Sequence, residues 1–261
     1  MKKKFLNLLG DKEIITFNLF NLIMDNPNAS VWSDNKDYII AQSNEHTPIW
    51  IWICKDINSQ VMEEVAEIVS ARVKLNPRVH INIDSNRCCN FFELMQKKYG
   101  ISMEVYMPMN AYACYSVEEP KVLGKMVIPS KEHKVIMAKL IQQMNQDAAN
   151  EQITDDEANA FATDMVGSKK LFLWEDKEIR AMAMIAHKSD KHARINTVVT
   201  ERESRCKGYA GMLVAEVCKK LLGEGVIPML YADARNPASN RAYQKIGFEK
   251  VGEITEYSCS L

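Results

Sequence analysis

The sequence predicts an α/β protein built on a mixed sheet, with its 261 residues divided into two halves. Three observations lead there. Strand-like runs alternate throughout with segments whose apolar residues recur at helical spacing. The order of elements, β-β-α-β-α-β and then β-α-α-β-β-β-α-β-α-β, interleaves strands and helices as a sheet covered by helices requires. Between the two runs stands Glu118-Glu119-Pro120-Lys121, polar and proline-bearing, which reads as a linker. The expected domains are 1–120 and 123–261.

The first half opens with an apolar segment, Ile14 to Met24, in which Ile15, Leu19, Leu22 and Ile23 share a helical face. Strands are expected at Tyr38 to Gln42 and Ile49 to Cys54. A helix with Val61, Val65, Ile68 and Val69 on one face follows. A strand at Val79 to Ile83, a helix around Phe91 to Tyr99 and a strand near Met103 to Tyr115 complete the half. No catalytic constellation appears in it.

The second half begins with a short strand, Lys125 to Ile128. Ser130 is placed to cap a helix carrying Met137, Leu140, Ile141 and Met144 on one face. Thr154-Asp155-Asp156-Glu157 has the form of a capping box, and Gly167 is placed to end its helix in a left-handed turn. Strands at Leu171 to Trp174 and Ile179 to Ala186 flank a tight Glu175-Asp176-Lys177 turn, and Arg194 to Thr200 is a third. Gly208 to Leu222 reads as a helix with Leu213, Val217 and Leu221 inward. A strand at Met229 to Ala232, a helix from about Pro237 to Lys245 and strands after Gly247-Phe248 end the chain.

Composition narrows the function. The formal net charge of -1 provides no global field to draw nucleic acid or anionic lipid. Basic residues interleaved with aromatics are missing too, so no nucleic-acid partner is expected. Met1-Lys2-Lys3-Lys4-Phe5 mimics a signal-peptide start, but Gly10-Asp11-Lys12-Glu13 interrupts the apolar stretch. No run approaches the roughly 20 apolar residues that span a bilayer. A cytoplasmic protein without a membrane partner is the expectation. The seven cysteines include one close pair, Cys88-Cys89, which has neither zinc nor redox spacing, so buried reduced thiols are expected. The five histidines form no metal-binding pattern, and no metal is expected.

One segment carries chemistry. In Val198-Val199-Thr200-Glu201-Arg202-Glu203-Ser204-Arg205-Cys206-Lys207-Gly208-Tyr209-Ala210 a strand enters a polar loop that ends at a helix N-terminus. Such a junction leaves backbone N–H groups unpaired at the positive end of a helix dipole. It can accept a pyrophosphate, with glycine allowing close approach and Arg205 and Lys207 supplying charge. The loop is neither a Walker A sequence nor a dinucleotide-binding GxGxxG. Alone, it would more often be an ordinary helix start.

A second segment changes that balance. Arg205, Gly208 and Ala210 fit an R/Q-x-x-G-x-G/A motif, and downstream Asn236, Ser239, Tyr243, Gly247 and Phe248 fit N-x-x-[AS]-x-x-x-Y-x-x-x-G-F. Together, in this order, they resemble the GNAT superfamily of N-acetyltransferases, in its FR47-like branch, over about residues 123–261. Cys206 stands where many relatives carry glycine, and Glu201-Arg202 replaces a common proline-rich turn.

The resemblance implies a GNAT acyl-CoA N-acyltransferase fold in the C-terminal half. For the N-terminal α/β unit, a degenerate GNAT-like half is one reading. Acetyl-CoA is then the acyl donor, held by Val198, Val199, Thr200, Arg205, Cys206, Lys207, Gly208, Tyr209, Ala210, Asn236, Ser239 and Tyr243. Its pantetheine arm would pair with the backbone at Val198 and Thr200, and Tyr243 would protonate the departing thiolate as general acid. Asn236 and Ser239 are equally ordinary helix-cap types. The base that deprotonates the acceptor amine is open between Glu201 and Asp233, each also readable as a structural carboxylate, and a backbone carbonyl of the splayed strand. The expected partners are acetyl-CoA and an unidentified amine of a small molecule or peptide, with the chain a monomer or a homodimer. A non-catalytic acyl-CoA-binding or sensing module is the alternative.

Overall fold

After a 3-10 helix over Lys2–Leu8, two consecutive α-helices stand where the sequence suggested one. The computed structural model describes residues 2–88, 90–118, 120–121, 123–149 and 152–261. Glu119 of the linker and Cys89 of the cysteine pair therefore lie outside the described residues. Helix α1 spans Asp11–Thr16 and α2 spans Leu19–Asp25, with a break at Phe17-Asn18. The break lets Phe17 stack on Phe20 with ring centroids 5.5 Å apart, and both are buried. This corrects the expected face. Phe20, Ile23 and Met24 turn inward, whereas Leu22 stays 41% exposed.

Strands β1 (Ser30–Trp32), β2 (Tyr38–Gln42) and β3 (Ile49–Ile53) follow, then α3 (Ser59–Leu75), β4 (Ile81–Ile83), α4 (Phe91–Tyr99) and β5 (Ser102–Cys114). Three-residue β1 carries too little periodicity to be seen in sequence. Asn58 caps α3, its side chain accepting from the Val61 amide at 3.0 Å. The buried stripe of α3 runs Met62, Val65, Ala66, Val69, Val73, so the expected Val61 and Ile68 sit at its margin.

The remaining elements are β6 (Lys125–Val127), α5 (Lys134–Ala149), α6 (Asp155–Met165), β7 (Leu171–Asp176), β8 (Glu178–Lys188), β9 (His192–Thr200), α7 (Tyr209–Gly223), β10 (Ile227–Asp233), α8 (Pro237–Lys245) and β11 (Phe248–Ser260). The capping box before α6 is present: the Thr154 amide donates to Glu157 Oε2 at 2.8 Å, and the Glu157 amide donates to Thr154 Oγ1 at 3.2 Å. Gly167 adopts φ 70° after that helix, as its sequence position suggested.

These elements form two compact units. One comprises Met1–Tyr112, Tyr231–Pro237 and Lys250–Leu261, the other Ala113–Leu230 and Ala238–Glu249. In the first unit the strand order is β1-β2-β3-β4-β11-β5, with β3 parallel to β4 and β11 antiparallel to β4. β2 and β3 are buried along their whole length, and their alternate side chains feed two cores. Ile40, Ile49, Ile51 and Ile53 pack with α3 and α4, while Ile39, Trp50 and Trp52 pack with α1 and α2.

In the second unit the order is β10-β9-β8-β7-β6, with β10 parallel to β9 and the rest antiparallel. Helices α5 and α6 cover one core through Met137, Leu140, Ala158 and Ala162 against Leu171, Leu173, Met182 and Val199. Helix α7 packs on β7, β8 and β9 with Leu213, Val217 and Leu221 fully buried. Each such side chain contributes about 1.5–3 kcal/mol over leaving it in water. Among the six described cysteines none is in a disulfide. Cys88, Cys114 and Cys218 are buried, whereas Cys206 is exposed, which departs from the expectation of buried thiols.

Candidate functional site

Strand β9 changes register as it approaches the polar loop. Met182 of β8 faces Val199 and Met184 faces Asn196, so β9 carries one extra residue there. That residue's neighbourhood includes Thr197 at φ 52°, a left-handed conformation at a non-glycine position, as in a β-bulge. On its other side, among the described residues, β9 pairs with β10 through His192, Ala193 and Arg194 against Ile227, Pro228 and Met229. Val199 points into the α5–α6 core, while Val198 and Thr200 are half-buried.

The loop reaches α7 through two left-handed residues, Cys206 at φ 62° and Gly208 at φ 85°. Cys206 explains the glycine expected at its position, because a side chain in this conformation costs about 1–2 kcal/mol. Gly208 is the N-cap of α7 and has no side chain to satisfy the first amides. Among the described residues, no acceptor is bonded to the N–H groups of Tyr209, Ala210 or Gly211; the first helical bond is from Met212 N–H to Gly208 C=O, at 3.0 Å.

Those amides border a cavity of about 720 Å³. Thr200, Cys206, Gly208, Tyr209, Ala210 and Gly211 form one wall; Ala238, Arg241, Ala242 and Lys245 of α8 form the other, with Glu118 and Pro120 beside them. The volume lies in the range of small-molecule sites, roughly 300–1,000 Å³. The sequence reading missed Arg241 and Lys245. Their i, i+4 spacing on an expected helix would have put both on one face, together with Ala238 and Ala242.

Several expected residues turn elsewhere. Arg205 pairs with Asp147 of α5, which also accepts from Arg202 at 2.8 Å. Hydrogen bonds from Arg202 and then Arg205 hold the Asp147 carboxyl below its usual range. Lys207 donates to the Glu203 carbonyl at 3.2 Å. The Tyr209 hydroxyl donates to Asp176 at 2.6 Å, and that carboxylate raises the phenol's pKa. Tyr209 can therefore offer the cavity its amide rather than its hydroxyl.

Tyr243 lies about one helical step round from the wall formed by Ala242, and its ring meets Phe248 edge-on at 5.8 Å. Burial pushes its phenol up, partly offset by a hydrogen bond from Ser239 one turn earlier. The group therefore stays protonated at neutral pH. Glu201 accepts from Lys139 at 3.1 Å, from Arg180 at 3.3 Å and from Ser204 at 3.3 Å. The Lys139 bond is the largest influence in holding its carboxyl below the usual range. It borders a second cavity, of about 490 Å³, with Lys139, Gln142 and Asp155. Asp233 and Asn236 belong to the first unit. Burial raises the Asp233 pKa, but bonds from Arg235 outweigh it and leave it lowered. The exposed Asn236 donates its amide to the Asp233 carbonyl at 3.0 Å. Among the described residues no cluster of three or more His, Cys, Asp or Glu could hold a metal, and no helix is long and apolar enough to cross a membrane.

Known proteins supply an independent comparison. Residues 172–258 match the family model described as FR47-like protein. No curated protein matches the sequence. Among solved structures, a GCN5-related N-acetyltransferase from Sphaerobacter thermophilus is 10% identical, with 92% of this chain and 84% of that one covered at a TM-score of 0.62. One from Kribbella flavida is 12% identical, covering 94% of each chain, with a TM-score of 0.61. A GNAT-family acetyltransferase from Colwellia psychrerythraea is 12% identical over 89% of this chain and 85% of that one, with a TM-score of 0.57. Such identities speak to architecture alone. The chain has the GNAT fold, and over residues 172–258 it resembles the FR47-like branch of that superfamily.

Proposed function

We propose that the second unit binds acetyl-CoA in the 720 Å³ cavity and passes its acetyl group to a primary amine of a small molecule or peptide. The observation that carries this reading is the row of open amides at Tyr209, Ala210 and Gly211, at the positive end of α7 and on the cavity wall. Arg241 and Lys245 supply the facing positive charge. The edge of β9 near Val198 offers backbone groups to the amides of a pantetheine arm, whereas the Thr200 carbonyl, expected in the same role, already accepts from Gln143 at 2.8 Å.

In the transfer, the amine nitrogen forms a bond to the thioester carbonyl carbon, and the C–S bond breaks with its electron pair leaving on sulfur. Tyr243 donates its phenolic proton to that sulfur and recovers one from water. The reference values are about 10 for a phenol and 8.5 for a thiol, so complete transfer is uphill by about 2 kcal/mol. Burial of Tyr243 adds to that, so its hydrogen bond to the developing thiolate is the main contribution. The amine's proton leaves to Glu201, once it gives up its ion pairs with Lys139 and Arg180, or to water held by a backbone carbonyl.

A non-catalytic acyl-CoA-binding module is favoured by one observation: Tyr243 and the cavity wall occupy different faces of α8. Unit one repeats the order β-α-β-α-β in β3, α3, β4, α4 and β5, which supports reading it as a degenerate GNAT-like half. Its helix α3 has its N-terminus closed by Asn58, and Lys97 and Lys98 are paired with Glu93 and Glu63. We therefore expect one CoA per chain.

Calorimetry with CoA and turnover of acetyl-CoA against a panel of amines test the proposal together. One site per chain, lost in Gly208→Glu, is expected. Unchanged affinity in a folded Gly208→Glu variant refutes the cradle, and binding without turnover on any amine favours the module.

A further inference from the structure

The loop that supplies the open amides is held from its outer side by one helix. Gln143 of α5 is only 6% exposed. Its Nε2 donates to the Thr200 carbonyl at 2.8 Å, and its Oε1 accepts from the Arg202 amide at 3.1 Å. A side-chain amide thus pairs with both backbone groups flanking Glu201, as a neighbouring strand's peptide group would. One turn on, Gln146 accepts from Arg202 at 2.7 Å, and Asp147 accepts from both Arg202 and Arg205. Positions 143, 146 and 147 share a face of the helix. Three side chains of α5 therefore hold the path from Thr200 to Arg205, immediately before the left-handed pair Cys206 and Gly208.

We propose that Gln143 is a positioning residue for the acyl-CoA site. It fixes the direction in which the chain leaves β9, and so where the amides of Tyr209, Ala210 and Gly211 point. This rests on the reading of that loop as the CoA cradle. The bond pattern explains why glutamine suits the position. A side-chain amide presents a donor and an acceptor from one planar group at any ordinary pH, and here both are satisfied. Removing them takes from the Thr200 carbonyl and the Arg202 amide the one buried side chain that pairs with both. The loop can relieve that by moving, and a shift of its backbone moves the cradle with it.

The test is CoA affinity by calorimetry beside melting temperature, for the unaltered chain and three variants. Gln143→Met keeps the volume and loses both bonds. Gln143→Glu keeps an acceptor for the Arg202 amide but sets a charged oxygen against the Thr200 carbonyl. Leu140→Ala, which empties a fully buried position on the same helix, controls for loss of stability alone. Both Gln143 variants should weaken CoA binding about ten- to a hundredfold, while Leu140→Ala lowers the melting temperature at least as much and leaves affinity within twofold. Gln143 variants that bind within twofold of the unaltered chain overturn the proposal, as does a Leu140→Ala variant that loses affinity equally. An unaltered chain that binds no CoA overturns the cradle reading, and this proposal with it.

Discussion

Replacing Gly247 by alanine tests how the cavity wall is built. Gly247 follows α8 at φ 100°, and a Cβ there would lie 2.2 Å from the Ser116 carbonyl oxygen and 3.5 Å from the Glu118 nitrogen. The obstacle is backbone, so no side-chain rotation relieves it. The conformation costs an alanine about 1–3 kcal/mol. Parting the two segments also breaks the Glu118 N–H bond to the Ile246 carbonyl at 3.2 Å, worth about 1 kcal/mol. A total near 3 kcal/mol should lower the melting temperature by roughly 6–12 °C. Gly225→Ala is the comparison, since Gly225 has φ 73° with nothing within 4 Å of its added Cβ and carries strain without a clash. Because Glu118 and Pro120 border the cavity, Gly247→Ala should also weaken CoA binding where Gly225→Ala does not. Scanning calorimetry and CoA titration on both variants read the two effects. Equal destabilisation by the two substitutions would refute the reasoning.

Tyr243→Phe keeps the ring against Phe248 and should cut turnover about ten- to ten-thousand-fold, water rescuing part of the loss, with folding and CoA binding retained; near-normal turnover on an acceptor whose chemistry is rate-limiting removes the phenol from the mechanism. Arg241→Ala and Lys245→Ala should each weaken CoA about three- to tenfold, more at low salt than at high, as expected of exposed charges; salt-independent affinity in the unaltered chain would contradict their role. The Glu201 carboxyl is lowered from 4.5, so its contribution to stability is complete above pH 4.5 and is lost as pH falls through the lower folded value. Glu201→Gln should accordingly flatten the acid limb of melting temperature against pH below about 5 and leave the slope above pH 6 alone; an unchanged acid limb would show that the carboxylate's ion pairs carry no linkage.

The elements most legible in sequence are those whose signals are local. Pro237 at the first helical position marks the start of α8, and Thr154 with Glu157 marks that of α6. Gly208 marked the junction of the loop with α7 because its left-handed N-cap is a property of one residue. What depended on distant partners was not readable. Arg205 has a motif position that suggests a phosphate ligand, yet Asp147, far away in the chain, holds its guanidinium. Thr197 has no residue type that announces a left-handed bulge; the pairing of β8 with β9 imposes it. Leu22 fitted a helical face that ceased to exist once Phe17 and Phe20 stacked. The α8 wall was within reach of the sequence, since Arg241 and Lys245 share a face that Tyr243 does not, but the motif drew attention to Tyr243 first.

Strand β11 has a consequence for the order of assembly. Its residues Thr255, Glu256 and Tyr257 pair with Ile83, Asn82 and Ile81 of β4, in the first unit, although the whole of the second unit intervenes in the chain. On a ribosome, β3 and β4 emerge early with one edge of β4 unfilled, and they wait for the strand that closes it. Until β11 arrives, β4 presents unpaired backbone groups to any passing strand, its own or another molecule's. Expression yield should therefore respond to the speed of translation downstream of β5, and truncation before Lys250 should send the N-terminal unit, rather than the second one, into aggregates.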